Sequence, residues 1–139
     1  MISLVKISLG IFLIGLSHFK ASKSARTAPE DHVLLGLNET ARIGTDLIVH
    51  VDSLIDSRCP ADVDCFWAGQ AAVTLSLSKN AETQMRRFYV AGSALIQADS
   101  TTVQFDSTQY RIVLKDVIPY PAKAVNQLNR RAVIRITKL

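Results

Sequence analysis

At 139 residues, 48% of them apolar and 20% charged, the chain lies in the size range of one domain. Its formal charge of +4 comes from 16 Lys and Arg against 12 Asp and Glu, but Lys6, Lys20 and Lys23 all stand in the first 24 residues, where there is no acid. The remaining thirteen bases against twelve acids lack the long-range field that phosphate binding uses, so nucleic acid is not an expected partner.

The N-terminus reads as an address. Lys6 makes a short basic start, and Ile7 to Leu16 is a ten-residue apolar run. That is the length of a signal-peptide core and well short of the roughly 20 residues that cross a bilayer, so no transmembrane anchor is expected. Cleavage after Ser24 places Ser22 and Ser24 at the two positions a signal peptidase reads, whereas cleavage after Ala21 would place bulky Phe19 at the outer one. The expected organisation is a signal peptide over 1–24, a flexible leader over 25–31 (ARTAPED) and a single β-domain over 32–139. Export to the periplasm or the outside follows, and the roughly 115 residues left still bury a useful core.

The first apolar run, His32 to Leu37, ends at Asn38, and Asn38 to Asp46, with its charges and Gly44, has the composition of a turn. In Leu47 to Leu54 the apolar Leu47, Val49 and Val51 alternate with His50 and Asp52, which is strand periodicity. The cleanest alternation is Ala71 to Ser78: Ala71, Val73, Leu75 and Leu77 on one face, Ala72, Thr74, Ser76 and Ser78 on the other. Lys79 to Ala81 turn the chain into Met85 to Val90, where Phe88 and Val90 oppose Arg87 and Tyr89, predicting a hairpin. Gly92 to Ser100 is ambiguous. Thr101 to Phe105 reads as a short strand, turned by Asp106 and Ser107 into Gln109 to Val117 with Tyr110, Ile112 and Leu114 inward. Pro119 and Pro121 stop that strand, since proline cannot donate to a ladder. Ala122 to Arg130 is a loop or one helical turn, and Ala132 to Leu139 closes the domain with Ile134 and Ile136 inside. Seven or eight short strands at this spacing predict an all-β fold, an antiparallel two-layer sandwich with a small closed barrel as the alternative.

Residues 56 to 71, DSRCPADVDCFWAGQA, concentrate both cysteines, the only tryptophan, a proline and three of the twelve acids. In an exported chain Cys59 and Cys65 are expected to form a disulfide, worth about 2 kcal/mol for so short a loop. Pro60 fixes one backbone angle and Gly69 permits a tight turn into the strand that follows. Arg58 is positioned to reach Asp56 or loop carbonyls with its fork of donors. Trp67, four residues before Ala71, is expected to fold back and cover the end of the sandwich. The alternative is a ligand-binding loop presenting Asp56, Arg58 and Trp67.

Asp56, Ser57, Arg58, Cys59 and Pro60, four variable residues, then Cys65, Trp67, Ala68 and Gly69 resemble the signature of a group of small exported bacterial proteins, many of them lipoproteins. A looser likeness runs through the next strand and Tyr110 to Pro121. The resemblance implies export and a β fold; it brings no assigned activity. This chain departs from the group in having no lipid-attachment cysteine.

Asp52, Asp56, Asp62 and Asp64 are close in sequence, yet lack the glycine and final glutamate of a twelve-residue calcium loop, and read as solvated turn acids. His18 lies in the signal segment, and His32 and His50 have no third partner at metal spacing, so no metal or cofactor is expected. The cysteines do not have redox-motif spacing, and no Gly-x-Ser-x-Gly elbow is present, so no catalytic residue is nominated. Arg86, Arg87, Arg111, Arg130, Arg131 and Arg135 read as a solvated strand face. The leading expectation is an exported, non-catalytic β-domain for binding or envelope-associated interaction, with a protein or glycan ligand. A small secreted hydrolase or enzyme inhibitor is the alternative.

Overall fold

In the computed structural model residues 31–92 and 98–139 are described; the expected signal peptide and the leader up to residue 30 lie outside them. Among the described residues eight strands run β1 (Asp31–Gly36), β2 (Thr40–Ile43), β3 (Leu47–Asp56), β4 (Gln70–Lys79), β5 (Glu82–Ala91), β6 (Asp99–Phe105), β7 (Thr108–Ile118) and β8 (Arg131–Lys138), with a 3-10 turn at Gln127–Asn129. They form two antiparallel four-stranded sheets, ordered β1-β8-β7-β6 and β2-β3-β4-β5. This is the sandwich; the sheets do not close into a barrel.

The core comes from the predicted alternation. Leu47, Val49 and Val51 of β3 and Ala71, Val73, Leu75 and Leu77 of β4 are buried, as are Tyr110, Ile112 and Leu114 of β7 and Ile134 and Ile136 of β8. Phe88 and Phe105 are the largest side chains fully inside. One expected turn is corrected. Within Asn38 to Asp46, Thr40–Ile43 pair with Leu47–His50 as the short strand β2, so the turn residues proper are Gly44 to Asp46. Composition concealed β2 because four residues carry too little alternation to outweigh the flanking charges.

Two bulges change which side chains look inward. The register of β3 against β4 shifts between Val51 and Ser53, so that Leu54 and Asp56 turn toward the interior and Ile55 outward. The register of β7 against β8 shifts between Leu114 and Asp116, which keeps Val117 in the core. An extra residue on one strand reverses the facing of everything after it.

The two ends of the sandwich differ. At one end the connections are two residues long between β4 and β5 and between β6 and β7, and three between β2 and β3. Asn80, Asp106 and Gly44 take the positive φ angles that such turns need. At the other end lie residues 37–39, the thirteen-residue 57–69 connection and the twelve-residue 119–130 connection. Among the described residues no helix is long and apolar enough to cross a membrane.

Candidate functional site

The long-loop end is built around Arg58. Arg58 is 3% exposed, and its guanidinium donates through Nε to Asp56 Oδ1 at 2.9 Å, and through Nη2 to Asp56 Oδ2 at 2.7 Å and to the Val117 carbonyl at 2.6 Å. Nη1 reaches Asp116 Oδ1 at 3.1 Å, and Tyr120 lies beneath the guanidinium plane at 4.6 Å. Arg130 donates to the Asp56 carbonyl at 3.3 Å and pairs with its carboxylate at 3.3 Å. Two arginines and two aspartates therefore balance, with the Asp56 side chain wholly buried. Burial alone would push the Arg58 pKa down; the Asp56 hydrogen bonds, then the charges of Asp56 and Asp116, outweigh it and hold the guanidinium above its ordinary value. The sign is that of a raised base: its contribution to stability is complete below the unfolded pKa and lost only as pH rises through the higher folded value, far above neutrality.

The structure thus brings Asp56 and Arg58 together as one unit. It removes Asp56 from the solvated acids and Arg130 from the solvated basic face, since Arg130 is 5% exposed. Arg130 had a legible signal: Ala132, Ile134 and Ile136 face inward, and counting back two more residues puts Arg130 on the same side. Asp116 and Tyr120 had none, because the β7 bulge that orients Asp116 is not visible in residue types.

Above this network the 57–69 loop is tied at Cys59, Ala61, Asp62, Cys65 and Ala68. Cys59 and Cys65 are disulfide-bonded with their Cα atoms 5.9 Å apart. Cys59 N–H donates to Ala68 O at 2.8 Å, Ala61 N–H to Pro121 O at 2.9 Å, and Lys123 N–H to both Asp62 oxygens at 3.1 Å. Gly69 sits at φ +69°, and a Cβ there would stand 2.0 Å from Ser57 O. Gly92 is as constrained: its N–H donates to Gly69 O at 3.0 Å, and a Cβ would stand 2.0 Å from Ala68 O. Tyr120 closes the set, its hydroxyl donating to Gly92 O at 3.0 Å.

The tip contradicts the expectation for Trp67. The indole does not cap the core; it is 72% exposed, and Phe66 beside it is fully exposed. The place that Trp67 was expected to fill is taken by the Arg58 network and Tyr120, which close this end of the sandwich themselves. Phe66 was missed because it occupies the variable position between Cys65 and Trp67. Beside the loop an apolar cleft of about 340 Å³ is lined by Leu37, Leu54, Ile55 and Leu128, with Asp56 and Arg130.

Elsewhere Thr40 Oγ1 lies 2.8 Å from His50 Nδ1, His50 Nε2 lies 3.8 Å from Asp52, and Ser76 Oγ donates to Asp52 at 2.5 Å. These groups lie on the outer faces of β2, β3 and β4, and Ser76 bonds the carboxylate rather than the imidazole, which is not the order that activates a hydroxyl. No group of three His, Cys, Asp or Glu among the described residues is arranged to hold a metal ion. Comparison with protein-family models, curated proteins and solved structures finds no match for the chain.

Proposed function

We propose that the protein is an exported binding domain whose recognition surface is the tip of the 57–69 loop, a non-catalytic interaction module of the periplasm or cell exterior. The observation that carries this reading is that Phe66 and Trp67 are held in water by a loop whose base is closed by a disulfide, a buried ionic network and two obligatory glycines. Large aromatic side chains left in solvent cost solubility, while rigid presentation lowers the entropy lost on binding, and aromatic anchors dominate interface energetics. Loops positioned by a rigid β scaffold are a common place for recognition. Export rests on the basic start, the ten-residue apolar run and Ser22 and Ser24, and on the resemblance to small exported bacterial proteins.

The test compares the proteins and glycans retained by immobilised wild-type protein with those retained by the Phe66→Ala/Trp67→Ala double variant. A partner held by the first and lost by the second supports the reading; identical retention by both sinks it. For export, mass spectrometry of the protein from its native host should find an N-terminus near Ala25, and a mature chain still beginning at Met1 refutes the address.

A further inference from the structure

We propose that the loop tip recognises cationic side chains, its partner being a protein segment that displays arginine or lysine. This rests on the reading of the tip as the recognition surface and adds the chemistry of what it takes. Within 57–69 the only base is Arg58, and its charge is consumed internally by Asp56 and Asp116. The charges this loop offers to solvent are therefore Asp62 and Asp64, both negative and both exposed. Asp64 stands three residues before Trp67, so their Cα atoms are at most roughly 11 Å apart, a span that one basic segment covers.

The tip thus combines exposed π-faces with carboxylates. The face of an indole carries negative potential and attracts a cation, most effectively a guanidinium, whose plane stacks on the ring while its fork of donors meets a carboxylate. Asp62 is not a loose surface acid: both its oxygens accept from the Lys123 N–H, which fixes where its charge sits. The Lys123 side chain is itself exposed and adds one positive charge nearby, leaving the tip with a net charge of one negative. The attraction is then one of contact, ion pair plus cation–π, rather than long-range steering. An anionic lipid surface would meet Asp62 and Asp64 as repulsion, and a neutral sugar would leave both charges unused.

Trp67 is the only tryptophan, so its emission reports on the tip alone. The full-length protein is titrated with blocked tetra-arginine, tetra-serine and tetra-glutamate peptides at low and high salt. A saturable change with the arginine peptide only is expected, weakening at least about threefold at high salt as exposed ion pairs do. Asp62→Asn/Asp64→Asn should weaken it by about tenfold, an amount equivalent to roughly 1.4 kcal/mol, while the free protein stays folded with its emission unchanged. Equal responses to all three peptides, or an unaltered response in the double Asn variant, overturn the proposal. So does the absence of a peptide response together with a blue shift on phosphatidylcholine vesicles or with neutral oligosaccharides, which makes lipid or glycan the occupant. Self-association by sedimentation that Trp67→Ala abolishes assigns the tip to a second copy and also overturns it. If a retained partner is lost with Phe66→Ala/Trp67→Ala but kept with the double Asn variant, recognition at the tip stands and its cationic chemistry fails.

Discussion

The 57–69 loop and the strand end that enters it hold two chemically opposite regions. Around Asp56 the charges are buried and matched: the Arg58 guanidinium serves two carboxylates, a carbonyl and a ring, a second arginine completes Asp56, and only Asp116 at the rim stays partly in water. Eight residues further on, Phe66 and Trp67 stand in water although they are among the most apolar side chains in the chain. Ordinary partitioning would bury the aromatics and expose the charges. The inversion shows that burial here follows connectivity: Asp56 ends a bulged core strand that aims it inward, whereas Phe66 and Trp67 follow a disulfide that carries the chain back outside the sheets.

The largest effect expected from breaking this contrast is at Arg58. Arg58→Met leaves Asp116 without its arginine and Asp56 with Arg130 alone, and should lower unfolding free energy in urea by about 3–5 kcal/mol, the usual cost of removing one partner from a buried ion pair. Arg58→Lys should recover only part of that, because an ammonium cannot reproduce the bidentate bond to Asp56 and the reach to Val117 O together. A loss below about 1 kcal/mol would reduce the network to the level of a surface ion pair and remove one side of the comparison.

Next comes Gly69. Gly69→Ala combines a positive φ with a Cβ 2.0 Å from Ser57 O and should cost at least ~2 kcal/mol. Gly44 is the control: its φ is +60° but nothing lies within 4 Å of the added carbon, so Gly44→Ala should cost only about 1 kcal/mol of backbone strain. Thermal melts of the two variants separate the close approach from the φ angle. Equal losses would mean that the loop yields and that its grip on the tip is weaker than the contacts indicate.

The disulfide ranks third. Cys59→Ser/Cys65→Ser should lower stability by about 2 kcal/mol in an unfolding titration. The bonds from Cys59 N–H to Ala68 O and from Ala61 N–H to Pro121 O already hold the loop, so the double variant should stay folded. Complete unfolding would make the bridge, and not the network, the anchor of this end.

The sandwich was legible because β4 and β7 alternate over enough residues to fix their phase, and because two-residue turns join β4 to β5 and β6 to β7. The disulfide and the Asp56 to Arg58 contact were legible because they join residues close in sequence. Asp116 and Tyr120 were not, being 58 and 62 residues from Arg58 and brought there by a bulge and by the path of the chain past Pro119. Trp67 was misread for a different reason: size and apolarity argue for burial, yet whether the end of a sandwich is vacant depends on what else arrives there, and Arg58 with Tyr120 arrives first.

The smallest expected effect on stability is therefore at Trp67 itself, and it sharpens the comparison most. An indole 72% in water contributes little to the folded core, so Trp67→Ala should shift unfolding free energy by no more than about 0.5 kcal/mol, as surface substitutions do. In the wild type its emission should be red-shifted and quenched freely by acrylamide, and the melting curve of the variant should overlay that of the parent. Burial predicts the reverse on all counts, with a loss of ~3 kcal/mol or more as for other enclosed aromatics. Stability and binding then part company: Arg58→Met should weaken the fold and, by loosening the loop, the recognition it supports, whereas Trp67→Ala should remove recognition from a domain that remains as stable as before. A blue-shifted, protected indole whose loss destabilises the domain would return Trp67 to the core and dissolve the distinction between anchor and tip.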